Sequence, residues 1–329
     1  MNHSMIPHLF PAIDTPSIFA PAGPIAAREA LLGWGSAALG SVIFIIVCVV
    51  LAIGLWRRRE VTTERADGDV SVIGKQEHAR ELRAIVIFGF VLPAIVLVGL
   101  YGWSISEAVA LAARPQGQEV EVVGHQWWWE VRYPAEGVTT ANELHLPEGV
   151  PVRLRVSSAD VIHSFWVPRL LGKIDLIPGD TNNVWIRADS VGLFLGMCAE
   201  YCGVQHARMR FMVVSQPADE YAAWLASERT AARSAVTPTE MEGEKQFMEA
   251  GCAGCHTVRG TAAAGIEGPD LTHFASRLTI GAGTLPNTRG NLAGWIANPQ
   301  HIKPGNHMPE LPITGPQLQS ILDYVGALR

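Results

Sequence analysis

Two long apolar runs lie in the first third of the chain, and neither contains a charged residue. They extend over Trp34–Trp56 and Ala84–Trp103. About 20 consecutive apolar residues allow a helix to cross a bilayer, and both runs have aromatic residues near their ends, where an aromatic belt lies. Pro93 in the second run is compatible with a span, because packed membrane helices tolerate proline. The pattern predicts a two-helix transmembrane hairpin over residues 31–112, with spans at about 34–56 and 84–103.

The loop between these runs is basic. It begins with Arg57, Arg58 and Arg59 and continues with Arg65, Lys75, Arg80 and Arg83. Because basic loops stay in the cytoplasm, we expect both termini on the outer side of the membrane, including an outer N-terminal tail of residues 1–30. That tail lacks a basic segment followed by an apolar one, so no ordinary signal peptide is expected and the first span would serve as the insertion signal.

After the second span, the pattern changes to short runs that are rich in valine and isoleucine and broken by Pro, Gly and Asp. These runs are EVEVV, HLPEG, VPVRLRVSS, NNVWIRAD and FMVVS. Their spacing predicts an all-β sandwich or Greek-key barrel over residues 113–218. The following segment, EYAAWLASERTAAR, is apolar at helical spacing and precedes the polar stretch SAVTPTE, which predicts a helix and linker over residues 219–240.

The last 89 residues, 241–329, are again apolar at helical spacing, from GEKQFMEAG near their start to LQSILDYVGAL at their end. They predict a small all-α domain. A domain of this size is poorly stabilised by its core alone, so a cofactor is expected to stabilise it.

Composition narrows the possible functions. The chain of 329 residues is 48% hydrophobic and 17% charged, and its net charge of −6 argues against a nucleic-acid partner. Five cysteines are too few for a disulfide scaffold. Four of them form two close pairs, Cys198/Cys202 and Cys252/Cys255, which favours cofactor chemistry, whereas Cys48 in the first apolar run is expected to be a small apolar filler.

Cys252, Cys255 and His256 form the sequence C-x-x-C-H. This is the attachment signal of a c-type haem, in which two thioethers hold the porphyrin and the histidine binds the iron. Met308 in KPGNHMPELP is the expected sixth ligand, and a thioether at that position favours reduced iron. His307 and His301 are the alternative ligands.

Residues 241–329 resemble class I cytochromes c. The segment GPDL looks like the one whose proline packs behind the iron-binding histidine, so the resemblance implies that Pro269 has this role. The segment NLAGWIANPQHIKPGNHMP looks like the distal strip that leads to the methionine. Phe247 and Tyr324 fall where the first and last helices of such domains cross, which implies an aromatic core.

The stretch CAEYCGVQHARM, residues 198–209, carries two cysteines, a histidine and a methionine. A disulfide would leave His206 and Met209 unexplained, and zinc has little use for a thioether. Copper accepts thiolate, thioether and imidazole ligands. With His163 from DVIHSFWVP as a second imidazole, the set describes two bridging thiolates, two terminal imidazoles and weak axial ligands, which is a binuclear copper centre.

A copper-delivery protein is the alternative from another functional class. Such proteins also use C-x-x-x-C, usually followed by proline, with one distant histidine. Here Gly203 follows the second cysteine and Met209 is an additional ligand, which favours a redox centre.

The pattern C-x-E-x-C-x-x-x-H-x-x-M, together with His163, resembles the CuA site of subunit II of the haem–copper cytochrome c oxidases. Two N-terminal spans followed by a cupredoxin barrel match that subunit, and the fused haem domain matches its bacterial cytochrome-c-containing form. The resemblance implies a membrane-anchored multidomain chain with a transmembrane hairpin, an all-β cupredoxin domain and an all-α cytochrome c domain. The implied copper-binding residues are His163, Cys198, Glu200, Cys202, His206 and Met209.

The resemblance also implies roles for residues near the copper. Glu200 would give its backbone carbonyl to one copper and its carboxylate to a magnesium ion shared with the catalytic subunit. Trp127, the first tryptophan of GHQWWWEVRYP, would relay electrons, whereas we interpret Trp128 and Trp129 as core or interface residues. Asp175 matches an acid near the interface with the catalytic subunit.

The resemblance implies an electron-input subunit of a terminal oxidase in the bacterial inner membrane. A donor, either cytochrome c or a quinol:cytochrome c oxidoreductase complex, would reduce the haem. The electron would pass to the copper pair and on to subunit I, accompanied by subunit III, where oxygen is reduced to water with proton translocation. This chain would hold no oxygen-reducing site. A nitric oxide reductase subunit is the alternative, and a quinol oxidase subunit is disfavoured because those lack the copper ligands.

Two positions depart from the family pattern. Relatives often carry two adjacent acids just before the first copper histidine, whereas Ala159 stands beside Asp160 here. Fewer carboxylates weaken attraction for a basic soluble donor, and a tethered haem domain needs that attraction less. Val86 stands where relatives carry a glutamate thought to admit protons, and the nearest acid is Glu81.

Overall fold

A computed structural model describes residues 16–61, 75–111 and 117–329 of the chain. It divides into two compact units. One unit comprises residues 28–113, and the other comprises residues 1–27 together with residues 114–329.

The described residues of the unit 28–113 are helical. Its elements are α1 (Pro24–Val61, which begins in the other unit), α2 (Lys75–Val86), a π-helical turn (Ile87–Val91) and α3 (Leu92–Leu111). The π-helical turn ends two residues before Pro93, whose ring removes a backbone donor and disturbs regular α-helical bonding.

Both predicted spans lie within longer helical stretches, Pro24–Trp56 and Arg80–Ala110, that are apolar and long enough to cross a membrane. Large apolar side chains such as Phe44, Leu55 and Leu97 are exposed along these helices. An exposed apolar surface of this extent fits a lipid environment. Within the unit, Gly35 lies so close to the Trp103 indole that an added Cβ would be 2.5 Å from the ring.

The second unit contains a sandwich of two five-stranded sheets, with strand orders β3-β2-β1-β5-β8 and β4-β10-β9-β6-β7. The strands are β1 (Glu119–His125), β2 (Trp128–Tyr133), β3 (Val138–Ala141), β4 (Glu143–Pro147), β5 (Val152–Ser158), β6 (His163–Val167), β7 (Leu171–Leu176), β8 (Thr181–Ile186), β9 (Gly192–Cys198) and β10 (Arg210–Gln216).

Alternation of buried and more exposed positions explains how the sheets pack. In β1 and β5, every second side chain is buried, which is the pattern of a strand with one face on a core. Trp129, Tyr133, Phe165 and Phe211 fill the space between the sheets. The β1–β5 and β4–β10 pairs are parallel, and the other pairs are antiparallel.

Part of the predicted N-terminal tail packs on this sandwich. The Ala22 amide donates to the Arg169 carbonyl at 2.7 Å, and the Asp189 amide donates to the Ala22 carbonyl at 2.8 Å. Ala26 is buried. The segment of residues 16–27 is therefore ordered against the β-domain, and residues 1–15 of the predicted tail lie outside the described residues.

The remaining elements belong to the helix-linker segment and the C-terminal domain. They are α4 (Ala218–Glu228), α5 (Pro238–Glu249), β11 (Thr279–Ile280), β12 (Leu285–Pro286), α6 (Arg289–Ala297), α7 (Pro299–Ile302) and α8 (Gly315–Val325), with single 3₁₀ turns at Cys252–Gly254 and Phe274–Ser276.

Helix α5 begins earlier than the predicted domain boundary. Thr237 and Glu240 form a capping box around Pro238, so the end of the predicted linker already starts the helix. Helices α5 and α8 cross with the Phe247 and Tyr324 rings 5.6 Å apart, edge to face. This contact agrees with the aromatic core that the resemblance implied. Below, residues 113–218 are called the copper domain and residues 241–329 the haem domain.

Candidate copper and haem sites

The copper-site residues converge because two neighbouring strands and one loop deliver them. His163 begins β6 and Cys198 ends β9, and these strands pair in the same sheet. The loop after Cys198 turns at Gly203, which has a φ of +116°, and passes through a 3₁₀ turn at His206–Arg208. It returns to the sheet where the Cys198 amide donates to the Met209 carbonyl at 2.9 Å.

The side chains of these residues form a row of donor atoms. Cys198 Sγ lies 3.9 Å from His163 Nδ1 and 3.8 Å from Cys202 Sγ. Cys202 Sγ lies 3.7 Å from His206 Nδ1 and 3.8 Å from Met209 Sδ. Both cysteines are free thiols, since their separation far exceeds the ~2.05 Å of a disulfide. The Glu200 carbonyl lies 3.2 Å from Cys198 Sγ.

The chemistry of this donor set fits copper. Two sulfurs in contact, one imidazole beside each and a thioether form a set that suits copper and is foreign to zinc sites. A hydrogen bond from Cys202, with a further contribution from His163, lowers the pKa of Cys198 to about 3, and the pKa of Cys202 is raised by the same contact with Cys198. One thiolate therefore forms readily, and thiolates are the metal-binding form.

Asp160 is a residue whose role sequence reasoning missed. Its carboxylate accepts hydrogen bonds from His163 Nε2 at 2.8 Å, the Val161 amide at 2.6 Å and the Gln126 amide at 2.6 Å. The bond to Nε2 orients the His163 ring so that Nδ1 faces Cys198. An acid three residues before a predicted metal-binding histidine is a signal that could have indicated this role.

The haem-attachment residues line a cavity of about 440 Å³ in the haem domain, within the usual range for a ligand site. Cys252, Cys255 and His256 contribute to its wall, together with Met308. His256 Nδ1 donates to the Pro269 carbonyl at 2.7 Å, which leaves Nε2 free for a metal. Burial lowers the pKa of His256 and favours the neutral, metal-binding ring.

The shape of the cavity wall at His256 also fits a haem-binding histidine. An added Cβ at Gly268 would lie 2.7 Å from His256 Cε1, so the glycine allows the backbone to hold the ring closely. The Pro269 carbonyl fixes the ring from the same segment. Both contacts lie in GPDL, the segment that the resemblance associates with the iron-binding histidine.

The three candidates for the sixth ligand have different surroundings. Met308 lines the cavity, and its backbone is held by Asn306 Oδ1, which accepts from the Met308 amide at 2.8 Å, and by Gln300 Nε2, which donates to the Met308 carbonyl at 2.7 Å. His307 also lines the cavity and is otherwise exposed. His301 is exposed and does not line it.

Arg277 supports a haem in this cavity. Its guanidinium is buried, lines the cavity and donates to the Asp270 carbonyl, but its Nε has no partner among the described residues. Glu143, Asp270 and Glu228 already favour its charge. The Nε atom would still be satisfied by an acceptor in the cavity, and haem propionates are such acceptors. The sequence around Arg277 carries no motif that would have indicated this position.

Trp127 touches both sites. Its indole Nε1 donates to the Cys202 carbonyl at 3.0 Å, and an added Cβ at Gly203 would lie 2.9 Å from its ring. The same side chain lines the haem cavity, and its ring centroid lies 5.3 Å from that of His307. The peptide bond between Gln126 and Trp127 is cis.

The two following tryptophans differ from each other. Trp128 stacks on His125 with ring centroids 4.3 Å apart and also lines the haem cavity. Trp129 is fully buried and packs against Phe165 and Phe211 in the sandwich core. Trp129 is therefore a core residue, and Trp128 lies at the boundary between the copper and haem domains.

Glu200 and Asp175, the two acids that the resemblance places near a subunit interface, differ in how exposed their carboxylates are. The Glu200 carboxylate is exposed, with Lys173 Nζ at 3.8 Å. Asp175 lies opposite Ser164 in the β6–β7 pair, and its Oδ1 is buried without a hydrogen-bond partner in the described part of the chain.

Comparisons with known proteins identify families for two parts of the chain. Residues 135–216 match the family described as Cytochrome C oxidase subunit II, periplasmic domain, and residues 240–329 match Cytochrome c. Cytochrome c oxidase subunit 2 of Alkalihalophilus pseudofirmus is 37% identical over 296 residues, which cover 88% of this chain and 82% of the relative. The corresponding protein of a Bacillus species is 35% identical, over 64% of this chain and 62% of the relative.

Among solved structures, the periplasmic domain of subunit II of cytochrome oxidase of Bradyrhizobium japonicum is 30% identical. That match covers 35% of this chain and 96% of the other, with a TM-score of 0.34.

The family and fold class predicted from sequence are confirmed. The chain is a membrane-anchored subunit of an oxidoreductase complex, its cytochrome c domain indicates haem, and its family implies copper. It belongs to the cytochrome c oxidase subunit II family, as a member with a C-terminal cytochrome c domain.

Proposed function

We propose that this chain receives electrons at the haem domain and delivers them through the copper domain to the catalytic subunit of a terminal oxidase. Haem c would be held by Cys252, Cys255, His256 and Met308, and a binuclear CuA centre by His163, Cys198, Glu200, Cys202, His206 and Met209. The observation that carries the proposal is the position of Trp127, which contacts the copper loop and lines the haem cavity.

Both groups, when bound, supply sites that accept and release one electron at a time. The chain's residues prepare these sites in different ways. Cys198 and Cys202 would supply two neighbouring thiolates to the copper centre, and both are buried from water. Asp160 holds the His163 ring, and the Pro269 carbonyl holds the His256 ring. Because these ligand side chains are held in place, they would move little when the bound group gains or loses an electron.

Trp127 would act as the relay between the two sites. Its indole is fixed at the copper side by the Cys202 carbonyl and packs at the haem side against His307. Because electron transfer between centres falls steeply with their separation, an aromatic side chain that touches both sites favours transfer within one chain.

The remaining parts of the proposal concern the assembled oxidase. The chain would cross the bacterial inner membrane twice, with both termini and both redox domains outside. The exposed Glu200 carboxylate would reach a magnesium ion shared with subunit I, and Asp175 would lie near the same interface. Oxygen reduction and proton translocation would take place in subunit I, with subunit III as a further partner and cytochrome c or a quinol:cytochrome c oxidoreductase complex as donor.

The proposal is tested by spectroscopy on the purified full chain matured with copper and haem. We expect electron paramagnetic resonance with hyperfine structure from one electron shared over two coppers, and haem that stays bound after denaturing electrophoresis. Cys202→Ser should abolish the shared-electron signal, whereas Cys48→Ser, which changes the cysteine in the first span, should leave it intact. A mononuclear copper spectrum in the unaltered chain, or loss of haem on denaturation, would contradict the proposal.

A further inference from the structure

Lys303 of the haem domain is almost completely buried, with 2% of its surface exposed, on the loop that leads to Met308. Its Nζ donates to three backbone carbonyls, those of Trp127 at 3.0 Å, Arg208 at 3.0 Å and Gly281 at 3.1 Å. The first two belong to the copper domain and the third to the haem domain. The ammonium therefore lies at the contact between the two domains.

The number of carbonyls equals the number of N–H donors of the lysine ammonium. A lysine ammonium has three N–H donors and no acceptor, so this arrangement uses every donor. In the described part of the chain, no carboxylate lies within ion-pair distance of Lys303. The three hydrogen bonds of the lysine all go to backbone carbonyls, and such bonds constrain direction because each carbonyl is fixed by its own chain.

The carbonyls that Lys303 binds belong to the loops of both sites. Trp127 is the proposed relay, and Arg208 directly precedes the copper-site residue Met209. Lys303 itself lies on the segment between α7 and Met308. One side chain therefore links the relay, the copper loop and the loop of the proposed sixth haem ligand.

Further hydrogen bonds cross the same contact. The Arg210 amide donates to the Ala282 carbonyl at 3.1 Å, and Gln205 Nε2 donates to the Pro304 carbonyl at 2.6 Å. The Leu278 amide donates to Glu143 Oε1 at 2.5 Å. These bonds give the two domains a defined docking surface, and Lys303 is the buried cation within it.

The burial of Lys303 has an energetic cost. Removal from water is the main cause that lowers the pKa of Lys303 to about 7, so the ammonium with three donors is the predominant form below about that pH. A buried cation held at a cost contributes weakly to stability, and such groups are retained in some proteins because they select one arrangement. The three directed hydrogen bonds, two of which cross to the copper domain, favour a role in orienting the two domains.

We propose that Lys303 is a positioning residue that fixes the haem domain in one orientation on the copper domain by holding the carbonyls of Trp127 and Arg208. The consequence for function rests on the proposed electron-input role. With Lys303 in place, transfer from haem to copper occurs in a docked pair of domains and does not wait for the haem domain to move. Without it, the tethered haem domain samples other orientations.

The test uses Lys303→Met in the full chain, purified in detergent, with and without copper and haem. Methionine keeps an unbranched apolar side chain but removes the ammonium. The Trp127 and Arg208 carbonyls then lose this donor, whereas the Gly281 carbonyl keeps its bond from Thr284 Oγ1. Loss of hydrogen bonds to a charged group of this kind lowers the population of the docked arrangement by about 10- to 100-fold. Hydrogen exchange of the Arg210 amide, which bonds across the contact, should accelerate by that factor. This readout needs no bound cofactor.

The second readout is the rate of haem-to-copper electron transfer after flash reduction of the loaded chain, measured at increasing solvent viscosity. We expect a viscosity-independent rate in the unaltered chain and a slower, viscosity-dependent rate in Lys303→Met. Lys245→Met, which removes an exposed lysine of α5 in the same domain, is the matched control and should change neither readout. Lys303→Gln keeps two N–H donors and should give intermediate values.

Unchanged Arg210 exchange in Lys303→Met or in Lys303→Gln would overturn the proposal. Faster exchange with an unchanged, viscosity-independent transfer rate would overturn it as well, because Lys303 would then be structural only. If Lys303→Met does not accumulate as folded protein, Lys303→Gln decides the question by the same two measurements. Absence of copper or haem signals in the unaltered chain would contradict the proposed function, while exchange in the cofactor-free chain would still test Lys303.

Discussion

Asp160→Asn tests how the copper site is held. The Asp160 carboxylate accepts from His163 Nε2 and the Val161 amide at one oxygen and from the Gln126 amide at the other. Burial raises the pKa of Asp160, but the hydrogen bonds from His163 and the two amides outweigh it, so the net shift is downward and the group is ionised at neutral pH. Asparagine replaces one of the two accepting oxygens with an NH₂ group. At least one of the three donors then faces another donor.

The expected magnitude follows from the position of Asp160 behind a metal ligand. Loss of such a partner typically weakens metal binding by about 10- to 100-fold, which corresponds to about 1.4–2.7 kcal/mol. Copper affinity would be measured by competition with a chelator of known affinity. The matched control is Asp189→Asn, which alters an exposed acid paired with Arg187 in the same domain. Wild-type copper affinity in Asp160→Asn would refute the assigned role.

Three further substitutions test the haem domain and the start of α5, which leads into it. Met308→Leu should lower the haem midpoint potential by about 0.1 V or more, since axial ligands together change this potential over roughly 0.8 V. An unchanged midpoint potential in a redox titration would favour His307 as the ligand. Gly243→Ala places a Cβ 2.0 Å from the Ser320 carbonyl at the α5–α8 crossing. It should lower the free energy of unfolding by about 1–3 kcal/mol in denaturant titration, and Gly290→Ala, which meets no atom within 4 Å, is its control. The Arg233 hydrogen bond is the main cause that lowers the pKa of Glu240 from 4.5 to about 2. The stabilisation by Glu240 is therefore complete above about pH 4.5 and lost as pH falls towards 2. Glu240→Gln should remove that part of the pH dependence of the free energy of unfolding. An acid-unfolding curve identical to that of the unaltered chain would contradict this.

The motifs that carry chemistry could be read from sequence because their residues are close along the chain. Cys252, Cys255 and His256 are held by one turn, and the loop from Cys198 to Met209 returns to its own sheet. From sequence, His163 is only an available second imidazole, since its position beside Cys198 depends on the pairing of β6 with β9.

Several strands were missed for identifiable physical reasons. β2 begins at Trp128 in the aromatic run GHQWWWEVRYP, whose tryptophans are interpreted individually and not as part of a strand. β6 and β9 are mostly buried on both faces, so they lack the alternation that marks a strand. The start of α5 was readable in principle from the capping box at Thr237 and Glu240.

The contacts between the copper and haem domains could not be predicted. The contacts of Lys303 and the cavity wall that includes Arg277 and Trp127 form only when residues far apart in sequence come together. A lone lysine in a polar loop ordinarily remains solvated, and no local pattern distinguishes Lys303 from such a residue.

The central claim is that electrons pass from haem to copper within one chain. The most direct measurement is rapid reduction of the haem in the loaded full chain, followed by the absorbance of each centre over a range of protein concentrations. The account predicts that haem oxidation and copper reduction occur together at a first-order rate that does not depend on concentration. Haem that stays reduced beside oxidised copper, or a rate that rises in proportion to protein concentration, would contradict it.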